Sequence, residues 1–154
     1  MLEIANAANA SGDVRIANQD GSVNVLGGPE NTIDVGGSGA IQVSALGTDS
    51  SIDIQGIVQS DLGDVELLAD GSLTFAATAN VNSTDGSVRL LADQDADQQG
   101  LIAMQDGAQV DSGLGSIELL AHQTSHSQAF EVRVPVMQSS FVRLLGKSLT
   151  TATR

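Results

Sequence analysis

Three stretches of this 154-residue chain are near-copies of one another, and that repetition restricts its fold more than any other feature. They are Val58-Gln-Ser-Asp-Leu-Gly-Asp-Val65-Glu-Leu-Leu-Ala69, Val81-Asn-Ser-Thr-Asp-Gly-Ser-Val88-Arg-Leu-Leu-Ala92 and Val110-Asp-Ser-Gly-Leu-Gly-Ser-Ile117-Glu-Leu-Leu-Ala121. Each reads Val, a polar residue, Ser, two variable residues, Gly, Asp or Ser, a β-branched residue, a charge, then Leu-Leu-Ala. Val65 and Val88 are 23 residues apart, and Val88 and Ile117 are 29 apart. The six extra residues fit an insertion around Asp93 to Gln99. Fainter copies lie upstream: Ile41 in Gly39-Ala-Ile41-Gln-Val43 precedes Val65 by 24, and Val14 in Gly12-Asp-Val14-Arg-Ile16 precedes Ile41 by 27. A repeat of this length over Gly12 to Ala121 is the signature of stacked structural units.

Inside each repeat the period is two. Val14-Arg-Ile16, Val23-Asn-Val25, Ile33-Asp-Val35, Ile41-Gln-Val43, Ile52-Asp-Ile54, Leu73-Thr-Phe75 and Val88-Arg-Leu90 all alternate apolar with polar. Alternation predicts short strands with one buried face. Gly-Ser, Gly-Asp and Gly-Ala pairs punctuate them as turns. An antiparallel sandwich or barrel also shows short strands at such spacing. A right-handed parallel β-helix, with about three short strands per coil, explains in addition why like residues recur at a coil period, because they stack. The expected fold is therefore all-β: a right-handed β-solenoid of about four to five coils, each adding ~4.8 Å. Composition agrees. Hydrophobic residues are 41% of the chain, yet there is no Trp, no Tyr and only three Phe, which suits a narrow interior of branched aliphatics.

The last 33 residues read differently, so two segments are expected: 1–121 as solenoid repeats and 122–154 as an atypical C-terminal cap or loosely ordered tail. Residues 1–121 hold 2 cations and 18 acids, whereas 122–154 hold 4 cations and only Glu131. Phe130-Glu-Val132-Arg-Val134 alternates as a strand. Phe141, Leu144, Leu145 and Leu149 have helical spacing, which predicts a short amphipathic helix. A cap is what an open solenoid end requires.

The net charge of -13 argues against nucleic acid or anionic membrane as a partner, since both call for a basic face. The absence of Cys removes disulfides, thiol chemistry and Cys-based zinc sites. No apolar run approaches ~18 residues, so membrane insertion is not expected. Met1-Leu2-Glu3-Ile4 has neither a basic nor an apolar leader region, so a signal peptide is not expected in this chain.

The units Gly63-Asp-Val-Glu-Leu-Leu-Ala69, Gly86-Ser-Val-Arg-Leu-Leu-Ala92 and Gly115-Ser-Ile-Glu-Leu-Leu-Ala121 resemble the repeats of filamentous-haemagglutinin-like adhesins and related giant bacterial surface exoproteins. The resemblance covers the repeat region. It implies a β-helical adhesive or spacer module of a larger exported protein, at the cell surface or secreted, with a host-surface or matrix ligand. The chain is far shorter than such proteins, and a secretion domain of their kind is not expected within these 154 residues.

The best candidate site is Asp93-Gln-Asp95-Ala-Asp97-Gln-Gln-Gly100. Three carboxylates at alternate positions can converge on a hard cation, and Asp93, Asp95 and Asp97 are the candidate calcium ligands, with Asp85 and Asp106 as further donors. The match to an EF-hand loop is poor: Gly stands at position 8, and Met104 stands where a bidentate Glu belongs. Gly36-Gly-Ser-Gly-Ala-Ile41 begins like a calcium nonapeptide but has Ile41 in place of Asp, and reads as a turn. His122 and His126 stand four apart without the Glu of a zincin motif. Asn9-Ala-Ser11 and Asn82-Ser-Thr84 are sequons on paper and read as turns. No Gly-x-Ser-x-Gly exists for a nucleophile.

The sequence thus points to a non-catalytic structural or adhesive module. The alternatives are a small stand-alone β-helical binding protein that self-associates through its coil ends, and a polysaccharide-cleaving β-helix enzyme using paired carboxylates.

Overall fold

The computed structural model describes residues 1–5, 7–9, 11–28, 32–95, 97, 99–121 and the strand Val142–Leu145. These residues form sixteen strands and no helix. In chain order they are β1 (Leu2–Ile4), β2 (Ala7–Asn9), β3 (Val14–Asn18), β4 (Val23–Val25), β5 (Thr32–Val35), β6 (Ile41–Ala45), β7 (Ile52–Ile54) and β8 (Ile57–Ser60). There follow β9 (Val65–Ala69), β10 (Leu73–Phe75), β11 (Asn80–Ser83), β12 (Val88–Leu91), β13 (Ile102–Met104), β14 (Gln109–Asp111), β15 (Ile117–Leu120) and β16 (Val142–Leu145).

The strands fall into three parallel sheets. The first is β1-β4-β7-β10-β13, the second β2-β5-β8-β11-β14 and the third β3-β6-β9-β12-β15-β16. Every third strand in the chain therefore pairs with its predecessor one coil away, which is the winding of a three-sided β-solenoid. The first fifteen strands make five triplets, and β16 adds one more rung to the third sheet.

The register is the one the repeats specify. Val14, Ile41, Val65, Val88 and Ile117 stack in one column, and Ile16, Val43, Leu67, Leu90 and Leu119 in the next. In the first sheet Val25, Ile54, Phe75 and Met104 stack, and in the second Ile33, Val58, Val81 and Val110. All of these except Val14 and Ile16 are buried, so the core is a bundle of aliphatic ladders, with Phe75 its single large ring among the described residues. Burying such side chains yields ~1.5–3 kcal/mol each, which sets the ladder as the main source of stability.

The Ser and Gly of the repeat form a second, polar ladder. Ser60 and Ser83 occupy inward positions and are almost fully buried. Each hydroxyl accepts from the glycine N–H three residues on, Gly63 N at 3.0 Å and Gly86 N at 2.8 Å. Each also donates to a glycine carbonyl of the preceding coil, Ser60 to Gly39 and Ser83 to Gly63, both at 2.8 Å. The glycines themselves stack: a Cβ at Gly39, Gly63, Gly86 or Gly115 would run into the carbonyl of Gly12, Gly39, Gly63 or Gly86 respectively. None of these four has a positive φ, so their requirement is closeness of backbone, not an unusual conformation. In the first two copies the Ser-x-x-Gly spacing is thus a coil-to-coil clamp, whereas in the third the Ser112 hydroxyl donates to the Gly115 carbonyl of its own turn at 2.9 Å.

Two expectations change. Leu144 and Leu145 belong to strand β16, parallel to β15, and not to a helix. Val142-Arg-Leu-Leu145 repeats Val88-Arg-Leu-Leu91 residue for residue, and pairing beside a formed sheet outweighs the helical spacing of a few leucines. Phe141, Leu149 and the strand expected at 130–134 lie outside the described residues. The sequon Asn82 also lies inside strand β11, with its side chain half-buried, instead of in a turn; Asn9 closes strand β2. The Gly36–Gly39 stretch is a turn as expected, with Gly37 at φ 63°.

Candidate functional site

Alternation places every second side chain of each strand on the outside, and the parallel register lines these up in rows along the solenoid. The third sheet carries the most ordered row. Arg15, Gln42, Glu66, Arg89, Glu118 and Arg143 are successive partners in it. The Arg89 guanidinium joins three coils: Nε donates to Glu118 at 2.9 Å and Nη1 to Glu66 at 3.0 Å. Gln42 donates to Glu66 at 2.7 Å. Opposite charges on neighbouring rungs stabilise a sheet, and like charges oppose it. Beside this row runs one that is apolar from Leu68 onward: Ser44, Leu68, Leu91, Leu120 and Leu145 share a register position two residues along. Leu68, Leu91 and Leu120 are half-buried on the outer face. The first Leu of each Leu-Leu-Ala thus fills the core, and the second faces out.

A groove of about 360 Å³ opens on this sheet, lined by Arg15, Gln42, Asp64, Glu66, Ser87 and Arg89 among others. A smaller one on the second sheet is lined by Asn80, Asn82, Ser83, Thr84, Gln109 and Asp111. The second sheet's outer row is Ala8, Asp34, Gln59, Asn82 and Asp111, with Gln59 donating to Asp34 at 3.0 Å. The first sheet's is Glu3, Asn24, Asp53, Thr74 and Ala103, with Thr74 donating to Asp53 at 2.7 Å. Many of the acids are engaged with neighbouring backbone or amides: Asp13, Asp61, Asp64 and Asp70 accept from the N–H groups of Ala40, Gly37, Ser87 and Gly47. Their first task is to tie one coil to the next.

The candidate calcium loop lies where the insertion was expected, between β12, which ends at Leu91, and β13, which begins at Ile102. Oxygens of Asp93, Asp95 and Asp97 approach within 4.8 Å of one another. Asp93 is buried at φ 57°, and Asp95 and Asp97 are exposed. Asp85 and Asp106 do not join this cluster. Three carboxylates supply only part of the six to eight oxygens that Ca²⁺ takes. His122 and His126 lie outside the described residues.

The charge row escapes a reading of local windows, because its members are 23 to 29 residues apart. Its signal is still present in the aligned repeats, where the residue after Val65, Val88 and Ile117 runs Glu, Arg, Glu. No family model matches the chain, and neither a curated protein nor a solved structure shows significant similarity to it.

Proposed function

We propose that this chain is a structural and adhesive repeat module of a bacterial surface or secreted exoprotein, and that it does no chemistry. The observation that carries this is the outer surface. Its acids and amides are organised as coil-to-coil ties in rows parallel to the solenoid axis, an arrangement suited to a stiff spacer with a long repetitive binding face. The Leu68–Leu91–Leu120 row beside the Glu66–Arg89–Glu118 row offers an extended partner apolar and charged contacts at a repeat of roughly 4.8 Å. The sequence resemblance to giant adhesins supports the same reading. An immunoblot of fractionated native cells, with an antibody to residues 58–121, tests it. A band far above 15.7 kDa in the surface or secreted fraction is expected. A cytoplasmic band near that mass overturns it.

Asp93, Asp95 and Asp97 remain the candidate calcium ligands of such a module. Titration calorimetry at low millimolar Ca²⁺ decides, and equal heats from the native chain and an Asp93/Asp95/Asp97→Asn variant remove the site.

A further inference from the structure

We propose that two copies of this chain pack face to face through the outer side of the third sheet, with their coils in opposite order, on a two-fold axis that runs along the strands midway between β12 and β15. The inference rests on the reading of this side as a binding face and names its occupant.

The face presents two parallel rows. Over β9, β12, β15 and β16 the charged row reads Glu66, Arg89, Glu118 and Arg143, and the row two residues along reads Leu68, Leu91, Leu120 and Leu145. The side chains of Glu66, Arg89 and Glu118 are 26%, 46% and 33% exposed, so they reach a partner while still bonded to one another. Leu68, Leu91 and Leu120 are half-buried beside them. Arg89 is held lengthwise between its two glutamates, which keeps the charged row close to the sheet. Each row has four members, and both rows share one midpoint, between β12 and β15.

A half-turn about an axis along the strands lays each row over itself and reverses the order of the coils. With the axis at that midpoint, Arg89 faces Glu118 of the second copy and Glu66 faces the Arg143 position, each twice. The same half-turn sets Leu91 on Leu120 and Leu68 on the Leu145 position. Every facing pair is then either opposite in charge or apolar on both sides. Other axes lose one row or the other. Midway between β9 and β12, Arg15 meets Arg143 and Ser44 meets Leu120. Through β12, Arg89 meets its own copy and Glu66 meets Glu118. An axis along the solenoid sets each charge on its like when centred on the charged row, and brings Glu66 toward Asp70 when centred on the leucines. A two-fold interface requires a self-complementary patch, and these two rows supply one at a single position.

The size of the patch sets its strength. Four rungs at ~4.8 Å, with four to five residues each at ~3.3 Å, give a footprint of roughly 19 by 15 Å. That is well below the ~800 Å² per partner of a standard interface, so the dimer is weak and its charged contacts make it salt-sensitive. A contact of this strength becomes effective where many copies stand close together, as on a surface, because the local concentration is then high.

Sedimentation equilibrium of the 154-residue chain at high concentration and low salt tests the proposal, with far-UV circular dichroism confirming that each variant is folded. A monomer–dimer equilibrium that high salt weakens is expected. The row-inverted variant Glu66→Arg/Arg89→Glu/Glu118→Arg/Arg143→Glu keeps the alternation within its own chain and its own self-complementarity, so it dimerises with itself. Mixed with the native chain it sets like charge on like, and the mixed dimer is weaker than either pure one by roughly tenfold or more. The chain has no Cys, so introduced thiols report the axis independently of that variant. Facing sheets stand about 10 Å apart, so a short bis-maleimide joins Leu68→Cys chains to Leu145→Cys chains in a mixture. It does not join Leu68→Cys chains to one another, because their thiols are a further three rungs, ~14 Å, apart along the solenoid. A monomer at all concentrations overturns the proposal. Protection of a Leu91→Cys thiol from alkylation in that monomer then assigns the face to the chain's own residues 122–141, and free reaction assigns it to a foreign partner. Mixed dimers as strong as the pure ones, or Leu68→Cys chains crosslinked to one another, overturn the axis. None of these outcomes moves the immunoblot, which judges the surface-module reading separately.

Discussion

Gly86→Ala is the sharpest test of how the coils are held together. The added Cβ would meet the Gly63 carbonyl and, at 2.8 Å, the Asp64 nitrogen, all backbone of the preceding coil. Carbon atoms pack at about 3.5–4.0 Å, so the two coils must part by roughly 1 Å. Four hydrogen bonds span or brace this contact. Val65 N–H donates to Ser87 at 2.9 Å, Ser87 N–H to Asp64 at 2.7 Å, Ser83 to Gly63 at 2.8 Å and Gly86 N–H to Ser83 at 2.8 Å. A 1 Å separation takes the first three beyond bonding distance. At ~0.5–1.5 kcal/mol each, their loss costs about 2–4 kcal/mol, against a typical total of ~5–15 kcal/mol. Urea unfolding followed by far-UV circular dichroism measures it; with no Trp or Tyr, intrinsic fluorescence offers no strong signal. The expected result is a lower midpoint with the loss centred on the coils either side of Gly86. A change below ~0.5 kcal/mol refutes the close-packed glycine column, since a surface position tolerates Ala to that extent.

Three further outcomes are expected. Ser83→Ala removes a buried hydroxyl and leaves the Gly86 N–H and the Gly63 carbonyl without that partner, for a loss of about 1–3 kcal/mol in the same urea assay. Val88→Asp puts a carboxylate at a fully buried position between Val65 and Ile117, and at more than ~4 kcal/mol it abolishes the cooperative transition; a folded, cooperative protein reverses the assignment of inside and outside. Arg89→Ala breaks the bridge from Glu66 to Glu118, but the side chain is 46% exposed, so the loss is only about 0.5–1 kcal/mol and shrinks further in 1 M salt.

The contrast between these positions explains what could be read in the sequence. Inward positions are decided by the coil period, so Val65, Val88 and Ile117 announce their own stacking. The Ser and Gly of the repeat were equally visible, but their purpose was not, because the clamp joins Ser83 to glycines in two different coils. Val142-Arg-Leu-Leu145 was legible in principle as a copy of 88–91. It is masked by its surroundings: Ser140-Phe141 stands where the other copies have Gly followed by Ser or Asp, and Phe141, Leu144, Leu145 and Leu149 compete with a helical period. A strand of four residues has too few positions for local pattern to outvote that competitor, and only the edge of β15 resolves it. The calcium loop shows the opposite limit. Its three carboxylates were found by spacing, yet spacing says nothing of the buried setting of Asp93.

The outer rows follow from a constraint that the core does not share. A core column asks only that each residue be apolar and fit its neighbours, so Val, Ile and Leu exchange freely along it. An outer column in a parallel sheet forces each side chain to lie roughly 4.8 Å from its equivalents above and below, and a row of identical charges at that spacing would push the coils apart. The chain answers with alternation on the third sheet, where Arg15, Glu66, Arg89, Glu118 and Arg143 change sign from coil to coil with Gln42 as the one neutral step. On the first and second sheets it answers with dilution, setting Asp53 beside Thr74 and Asp34 beside Gln59. A protein with a net charge of -13 thus concentrates its repulsion away from the rung-to-rung contacts.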